Sequence, residues 1–307
     1  MDVSIVIVSF STSRLLDECI VSIKEETHCA YEIIVVDNAS TDDSCRMIKE
    51  KHPEAMLIEN SENVGFARAN NQGFALARGN YFFMLNSDTV ILDGAIDKLM
   101  DFMEKNKKVG ICGPRNCSRD MTIQYNCNHF PSIWIDFTLH TRLCAVLPKI
   151  KWFNLSQMKY WDYDGIREVD LITGCALMIR NQIYKALGGL DDHFFMYYEE
   201  TDLCYRMRKL GYSVVYYPDA TIIHYGGGSS RNNSPGTVFS KTNMDHFLKS
   251  KYYFNNKNYS SVHEIIARVL DLSYGLILLL KNLWRKDLVI RTSRLKMARL
   301  YIERACH

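Results

Sequence analysis

The sequence predicts an α/β protein built on a largely parallel sheet, and three observations carry that reading. Residues 3–10 (VSIVIVSF) and 32–37 (EIIVVD) are short apolar runs rich in β-branched residues, the composition of strands covered on both faces. Between them, residues 13–26 set Leu15, Leu16, Cys19, Ile20 and Ile23 on one helical stripe, which completes a strand-helix-strand unit. The strand ends are polar: Ser9, Asp37 and Asp88 fall where open α/β sheets bind ligands, beyond the carboxyl ends.

The remaining elements follow in order. DNASTDDS after the second strand is rich in turn and capping residues and leads into a helix near 42–51. A strand at 56–59 precedes a helix around 66–78, and YFFMLNSDTV gives an apolar strand ending in Asn86, Ser87 and Asp88, followed by a helix near 93–105. Residues 111–168 show little periodicity; loops, short strands and a helix near 133–145 are expected there. EVDLITGCALMIR reads as strand-turn-strand, followed by helices at 181–187 and 200–210, the strand SVVYYP, and a mobile Gly/Ser-rich loop over 226–236. From 237 on the pattern is helical, so an α/β domain over 1–236 and a helical extension over 237–307 are expected.

Composition bounds the function classes. With 47% hydrophobic and 23% charged residues, the 307-residue chain is a folded globular protein rather than a disordered or polytopic membrane protein. A net charge of +2 offers no excess of cations for nucleic acid. Ten scattered cysteines without a CxxC pair, and an opening MDVSIVIVSF without a leader pattern, point to a reduced, cytoplasmic protein. The spacing of Cys117, Cys127 and His129 fits no common zinc pattern.

The densest chemistry lies in 188–204, GGLDDHFFMYYEETDLC, where acids crowd against aromatic side chains. Carboxylates beside apolar surface need a cation, a hydrogen bond or a catalytic role. Either Asp191 and Asp202 cap turns or helices while Glu199 pairs with Arg206 or Arg208, or the segment holds a catalytic base. A dinucleotide-binding dehydrogenase is excluded, because SFSTSR stands where GxGxxG belongs. No Gly-rich basic loop follows the first strand to grip a triphosphate, which argues against a nucleotidylyltransferase.

Taken in order, VSIVIVSF, VVDNASTDDS, NVGFARANNQG, FMLNSDT, TGCALMIR, GGLDDHFFMYYEETDLCYRMRKLGY and YYPDATIIHYGGGS resemble the inverting family 2 glycosyltransferases with a GT-A fold. The similarity covers roughly residues 1–230 and is strongest to the bacterial rhamnosyltransferase-like branch that builds cell-surface polysaccharides. It implies a Rossmann-like mixed sheet flanked by helices, with the C-terminal helices appended. Ser9 and Asp37 would contact the nucleoside, Asp37 accepting the N3 hydrogen of uracil or thymine, and Asn63 and Gly65 would line the same cleft. For Gly65 a helix-entry turn is the structural alternative. Asn86, Ser87 and Asp88 stand at the DxD-like motif, with an amide in place of its first carboxylate. Asp88 would remain as ligand to Mg²⁺ or Mn²⁺, with His224 near the metal or diphosphate, or else structural.

In the acidic segment the resemblance puts the base at Glu200, one methylene longer than the family's Asp, with Glu199 as the alternative. Gly174, Asp202 and Trp134 are expected on the donor or acceptor sugar side. The implied activity is transfer from dTDP-rhamnose or a UDP-hexose to a glycan or lipid-linked acceptor. The alternative is a catalytically degenerate relative that binds nucleotide or glycan as an assembly partner, which Asn86 and Glu200 keep open. Residues 281–304 hold eight Lys or Arg against two acids, a basic amphipathic tail that suits either peripheral contact with the inner face of the membrane or packing on the core. Its most apolar run, LDLSYGLILLL, is too short to cross about 30 Å of hydrocarbon.

Overall fold

The computed structural model describes residues 1–226 and 240–307, which form two compact units. The first comprises Met1–Phe130, Trp161–Phe195 and the described residues from Glu199 to Gly226. It begins β1 (Val3–Ser9), α1 (Ser13–Glu26), β2 (Tyr31–Asp37), α2 (Ser44–Lys51), β3 (Met56–Glu59), α3 (Phe66–Leu76), β4 (Tyr81–Asn86), β5 (Thr89–Leu92) and α4 (Ala95–Lys105). Then come β6 (Val109–Cys117), β7 (Ile123–Gln124) and β8 (Cys127–Asn128), after which the chain supplies α5 (Ile133–His140) and α6 (Leu143–Val146) to the second unit. The first unit resumes with β9 (Arg167–Val169), β10 (Leu171–Ile172), β11 (Ala176–Arg180), α7 (Asn181–Ala186), α8 (Glu199–Lys209) and β12 (Ser213–His224). The second is completed by Met196–Tyr198, α9 (Lys241–Asn258), α10 (Ser261–Asn282) and α11 (Leu288–Cys306).

The first unit is a mixed sheet in the order β3-β2-β1-β4-β11-β6-β12-β5, with β7 on β6 and β9 on β12. Strands β1, β2, β3 and β4 run parallel, and β11 enters antiparallel between β4 and β6. Register sets Ser9 beside Asp37 and Val8 beside Asn86, so the polar strand ends share one edge. Leu16, Cys19, Ile20 and Ile23 of α1 are buried in the core on one side of the sheet. On the other, α3 lies so close to β1 that a Cβ at Gly73 would come within 2.4 Å of Val6 Cγ1, and only glycine permits that approach.

Four expectations change. Residues 109–117 form one nine-residue strand, β6, in the sheet interior, where only loops and short strands were expected from 111 on; the sequence hid this strand because close neighbours dictate its glycines. A Cβ at Gly110 would meet Met207 Sδ at 2.4 Å, and one at Gly113 would meet Ile172 at 2.8 Å. The apolar strand ends at Asn86, as expected, but β5, not anticipated, follows Asp88 on the far edge of the sheet before the helix begins. SVVYYP continues through an irregularity between Tyr217 and Thr221 to His224, with Pro218 at the interruption. The helix expected over 133–145 ends at His140, before the separate turn of α6. The loop expected over 226–236 lies, apart from Gly226, outside the described residues.

The division at 236/237 is not the one the contacts follow, since 131–160 and 196–198 group with the C-terminal helices. A buried ionic cluster joins α5 to α9 and α10 within the second unit. Lys251 of α9, 2% exposed, lies 2.6 Å from Asp271 of α10 and 3.4 Å from Asp136 of α5. His140 Nε2 reaches Asp271 at 2.7 Å, and the Tyr252 hydroxyl donates to the same carboxylate at 2.8 Å. Burial alone would raise the Asp271 carboxyl, but the His140 hydrogen bond and the Lys251 charge outweigh it and hold the group below its ordinary value. Leu248, Ala267, Leu300 and Tyr301 pack around Tyr252 as the apolar core of this unit. Asp271→Asn leaves Lys251 without its nearest counter-charge and is expected to cost about 3–5 kcal/mol of stability, read as a lowered denaturant midpoint.

Candidate active site

The shared carboxyl edge collects the candidates from β1, β2 and β4. Ser9 Oγ lies 3.1 Å from Thr12 Oγ1, which lies 2.9 Å from Ser87 Oγ, so a chain of hydroxyls joins the ends of β1 and β4. Thr12 was not expected; its signal was available in the same SFSTSR turn, three residues after Ser9. Asp37 is buried, and its Oδ2 accepts from the Ser40 amide at 2.9 Å. Its Oδ1 is shielded from solvent and has no protein partner, a state that a ligand donor would relieve.

Asn38, also unanticipated, fixes the neighbouring loop: its Nδ2 donates to Asn63 Oδ1 at 2.9 Å and its Oδ1 accepts from the Val64 amide at 3.1 Å. Asn63 Oδ1 in turn accepts from the Gly65 amide at 3.0 Å. Gly65 has φ +89°, and a Cβ there would lie 2.6 Å from Phe195 O, so two constraints demand glycine. The same carbonyl accepts from the Phe66 amide at 2.7 Å, tying the acidic segment to the start of α3.

Asp88 follows the end of β4, and His224 ends β12 opposite Thr89. His224 Nε2 is 3.4 Å from Asp88 Oδ1. Gln124 orients the ring: its Nε2 donates to His224 O at 2.7 Å and to Ser118 Oγ at 3.0 Å, which leaves its Oε1 to accept from His224 Nδ1 at 3.0 Å. With Nδ1 turned to Gln124, Nε2 faces the Asp88 carboxylate, and carboxylate oxygen with imidazole nitrogen is a donor set that Mn²⁺ accepts. Gln124 sits in the aperiodic stretch, where no sequence pattern marks it. Among the described residues, the one grouping of three metal-capable side chains is Asp191, Asp192 and His193, a mostly exposed turn.

Glu199 and Glu200 open α8. Glu199 is buried, Glu200 is half-buried, and each keeps an Oε2 shielded from solvent without a hydrogen-bond partner. Burial pushes the Glu199 carboxyl well above the usual range, and the neighbouring Glu200 charge adds to the push. Glu200 is raised by burial too, partly offset by backbone hydrogen bonds at the helix start and from Gly174. Gly174 borders this carboxylate: a Cβ there would be 3.4 Å from Glu200 Cβ. The turn carrying Gly174 reaches the end of β4, where Cys175 O accepts from the Asn86 amide at 2.9 Å.

Asp202 is taken up by Arg206, whose Nε donates at 2.6 Å, and Arg208 pairs with Glu168. Neither arginine therefore neutralises Glu199 in the way the pairing alternative required. Trp134 belongs to the second unit, where its ring stacks on Phe137 and its Nε1 donates to Trp152 O at 2.6 Å.

The raised carboxyls make stability depend on pH with a fixed sign. Between the ordinary glutamate value of about 4.3 and the raised folded value, the native protein binds more protons than the unfolded chain. Their stabilising proton uptake is complete below that window and is lost as pH rises through it. Glu199→Gln is expected to raise the thermal midpoint above wild type at about pH 8, with the two proteins converging toward about pH 4.

Comparison with known proteins bears on the fold and the family. The model of the family "Glycosyl transferase family 2" matches residues 4–187. The chain is 25% identical over 237 residues to an N-acetylglucosaminyl-diphospho-decaprenol L-rhamnosyltransferase of Mycobacterium tuberculosis, covering 74% of this chain and 76% of that one. Its fold is similar to a mannosyltransferase of Pyrobaculum calidifontis solved with GDP-Man and Mn²⁺, at TM-score 0.56 and 15% identity over 99% of this chain and 85% of that one. GalNAc-T7, solved with UDP, GalNAc and Mn²⁺, gives TM-score 0.56 at 16% identity over 84% of this chain and 51% of its own. The sheet order, the strand-end constellation and the family match converge: the chain has a GT-A type fold with C-terminal helices and belongs to glycosyl transferase family 2.

Proposed function

We propose that this glycosyltransferase transfers a sugar with inversion, in a metal-dependent reaction, from dTDP-rhamnose or a UDP-hexose to a hydroxyl of a glycan or lipid-linked glycan. It would act in cell-surface polysaccharide synthesis at the inner face of the cytoplasmic membrane. The observation that carries the mechanism is the pair of carboxylates at the start of α8, each with one shielded oxygen that has no hydrogen-bond partner. The similarity to the mycobacterial rhamnosyltransferase supports the lipid-linked acceptor and the rhamnosyl donor.

In this reading Asp37 Oδ1 accepts the N3 hydrogen of uracil or thymine, and Ser9, Asn63 and Gly65 line the nucleoside cleft beside it. Asn86 and Ser87 face the donor diphosphate. Asp88 and His224 hold Mg²⁺ or Mn²⁺, which when bound neutralises charge on the departing nucleoside diphosphate. Glu200 rather than Glu199 is the base, because it is the less buried of the two and can meet an acceptor hydroxyl. It takes that proton as the oxygen bonds to the anomeric carbon and the bond to the diphosphate breaks on the opposite face. Burial raises the proton affinity of Glu200, and a poised carboxyl is what a general base near neutral pH needs. Gly174 leaves room beside Glu200 for a sugar, and Asp202 steadies α8 through Arg206.

Calorimetric titration with UDP, dTDP, GDP and CDP, each with and without Mn²⁺, is expected to give metal-dependent binding of UDP or dTDP. Glu200→Gln should keep that affinity and lose about 10²–10⁴-fold in transfer rate, whereas Asp88→Asn should lose the metal dependence. Absence of binding to all four nucleotides would overturn this reading in favour of a degenerate partner protein.

A further inference from the structure

Helix α10 is amphipathic in the reverse sense. The side it buries carries Ala267, Asp271, Gly275, Leu278 and Asn282, three of them small or polar groups at four-residue spacing. The opposite side carries Val262, Ile265, Ile266, Val269, Leu276, Ile277 and Leu280, all 40–63% exposed. Eighteen steps of about 1.5 Å rise from Val262 to Leu280 make an apolar stripe roughly 27 Å long that no described residue covers. Trp284, 82% exposed, extends it, and Leu288 and Val289 at the start of α11 are as open. Of the 27 large apolar side chains exposed among the described residues, 17 belong to this unit. In the same unit Ile133, Trp134, Phe137 and Leu270 line an apolar groove of about 420 Å³. A contiguous apolar face of this extent marks an interaction surface.

Charge selects the occupant. Residues 281–299 hold seven Lys or Arg against Asp287 alone, and Lys281, Arg285 and Lys286 flank Trp284 in exposed positions. Two-fold pairing of the stripe with a second copy would set these cations against the other end of α10, where Glu264 is already taken by Arg268. Lipid phosphates would compensate them, and an exposed indole at the junction of apolar and cationic surface suits a headgroup boundary. We infer that the outer face of α10, continued through Trp284 into α11, docks on an anionic phospholipid bilayer. This locates the membrane contact in the proposed function and rests on that part of it, not on the nucleotide site. No helix among the described residues is long and apolar enough to cross a membrane, so the contact is with the surface.

The test is co-sedimentation of the full-length protein with phosphatidylcholine vesicles and with vesicles containing about half phosphatidylglycerol. Pelleting is expected with the anionic vesicles and should weaken about tenfold or more at high salt. The double change Leu276→Glu with Leu280→Glu should abolish pelleting, and Lys281→Glu with Arg285→Glu and Lys286→Glu should remove the preference for phosphatidylglycerol. Both variants should bind nucleotide as the wild type does. Equal pelleting with neutral vesicles overturns the inference. So does absence of pelleting, or a wild-type dimer in sedimentation velocity that the Leu276/Leu280 change dissociates. Loss of vesicle binding by a wild-type protein that still binds UDP or dTDP would defeat the docking surface alone; vesicle binding without nucleotide binding would defeat the transferase mechanism alone.

Discussion

Parallel pairing of β1 with β2 on one side and β4 on the other is the constraint on which the first unit depends. Parallel neighbours cannot be joined by hairpins, so each crossover must carry the chain back along a face of the sheet. Helices α1 and α3 do this, which buries every residue of β1 except the half-buried Val8. The price of that burial is that backbone and side-chain polarity can emerge only at the strand ends. Ser9, Asp37 and Asn86 emerge at the same edge because register leaves them level, and the hydroxyl chain through Thr12 and Ser87 locks that edge.

Sequence reasoning recovered the elements whose burial follows a simple period. Helix α1 spans the predicted 13–26, β3 the predicted 56–59, and the strand ends bearing Ser9 and Asp37 are where the apolar runs stop. It failed where long-range packing dictates residue type. In β6, Gly110 and Gly113 answer to Met207 and Ile172, far away in sequence, so the strand lacks the β-branched run that would announce it. The same limit applies to the site. Asp37, Asp88 and the glutamate pair stand out as charges beside apolar sequence, whereas Gln124 and Asn38 matter only because folding brings His224 and Asn63 against them. Which arginine neutralises which acid was likewise illegible, since Arg206 reaches Asp202 one helical turn away while Arg208 turns to Glu168.

The start of α8 concentrates unfavourable features. Two shielded carboxylate oxygens lack partners, and Tyr197 and Tyr198, directly before them, hold left-handed φ of +69° and +70°. Strained residues of this kind cost about 1–3 kcal/mol each and persist only where their surroundings over-determine them. Here Arg206 braces the segment, donating to Asp202 and to the carbonyls of Leu187 and Gly189, while Asn71 holds Leu190 from α3. Stability is given up in one turn of helix and recovered in the frame around it.

The ionic cluster of the second unit also has a bearing on how the chain is made. Asp136 meets Lys251, and His140 meets Asp271, across separations of 115 and 131 residues. During synthesis α5 emerges long before α9 and α10 exist, so its acid and its imidazole have no partners to justify leaving water. That segment must wait, hydrated, while the strands between it and the C-terminus are translated. A ribosome that stops short of residue 271 therefore releases not a catalytic core lacking an appendage but a chain with an unfinished interior.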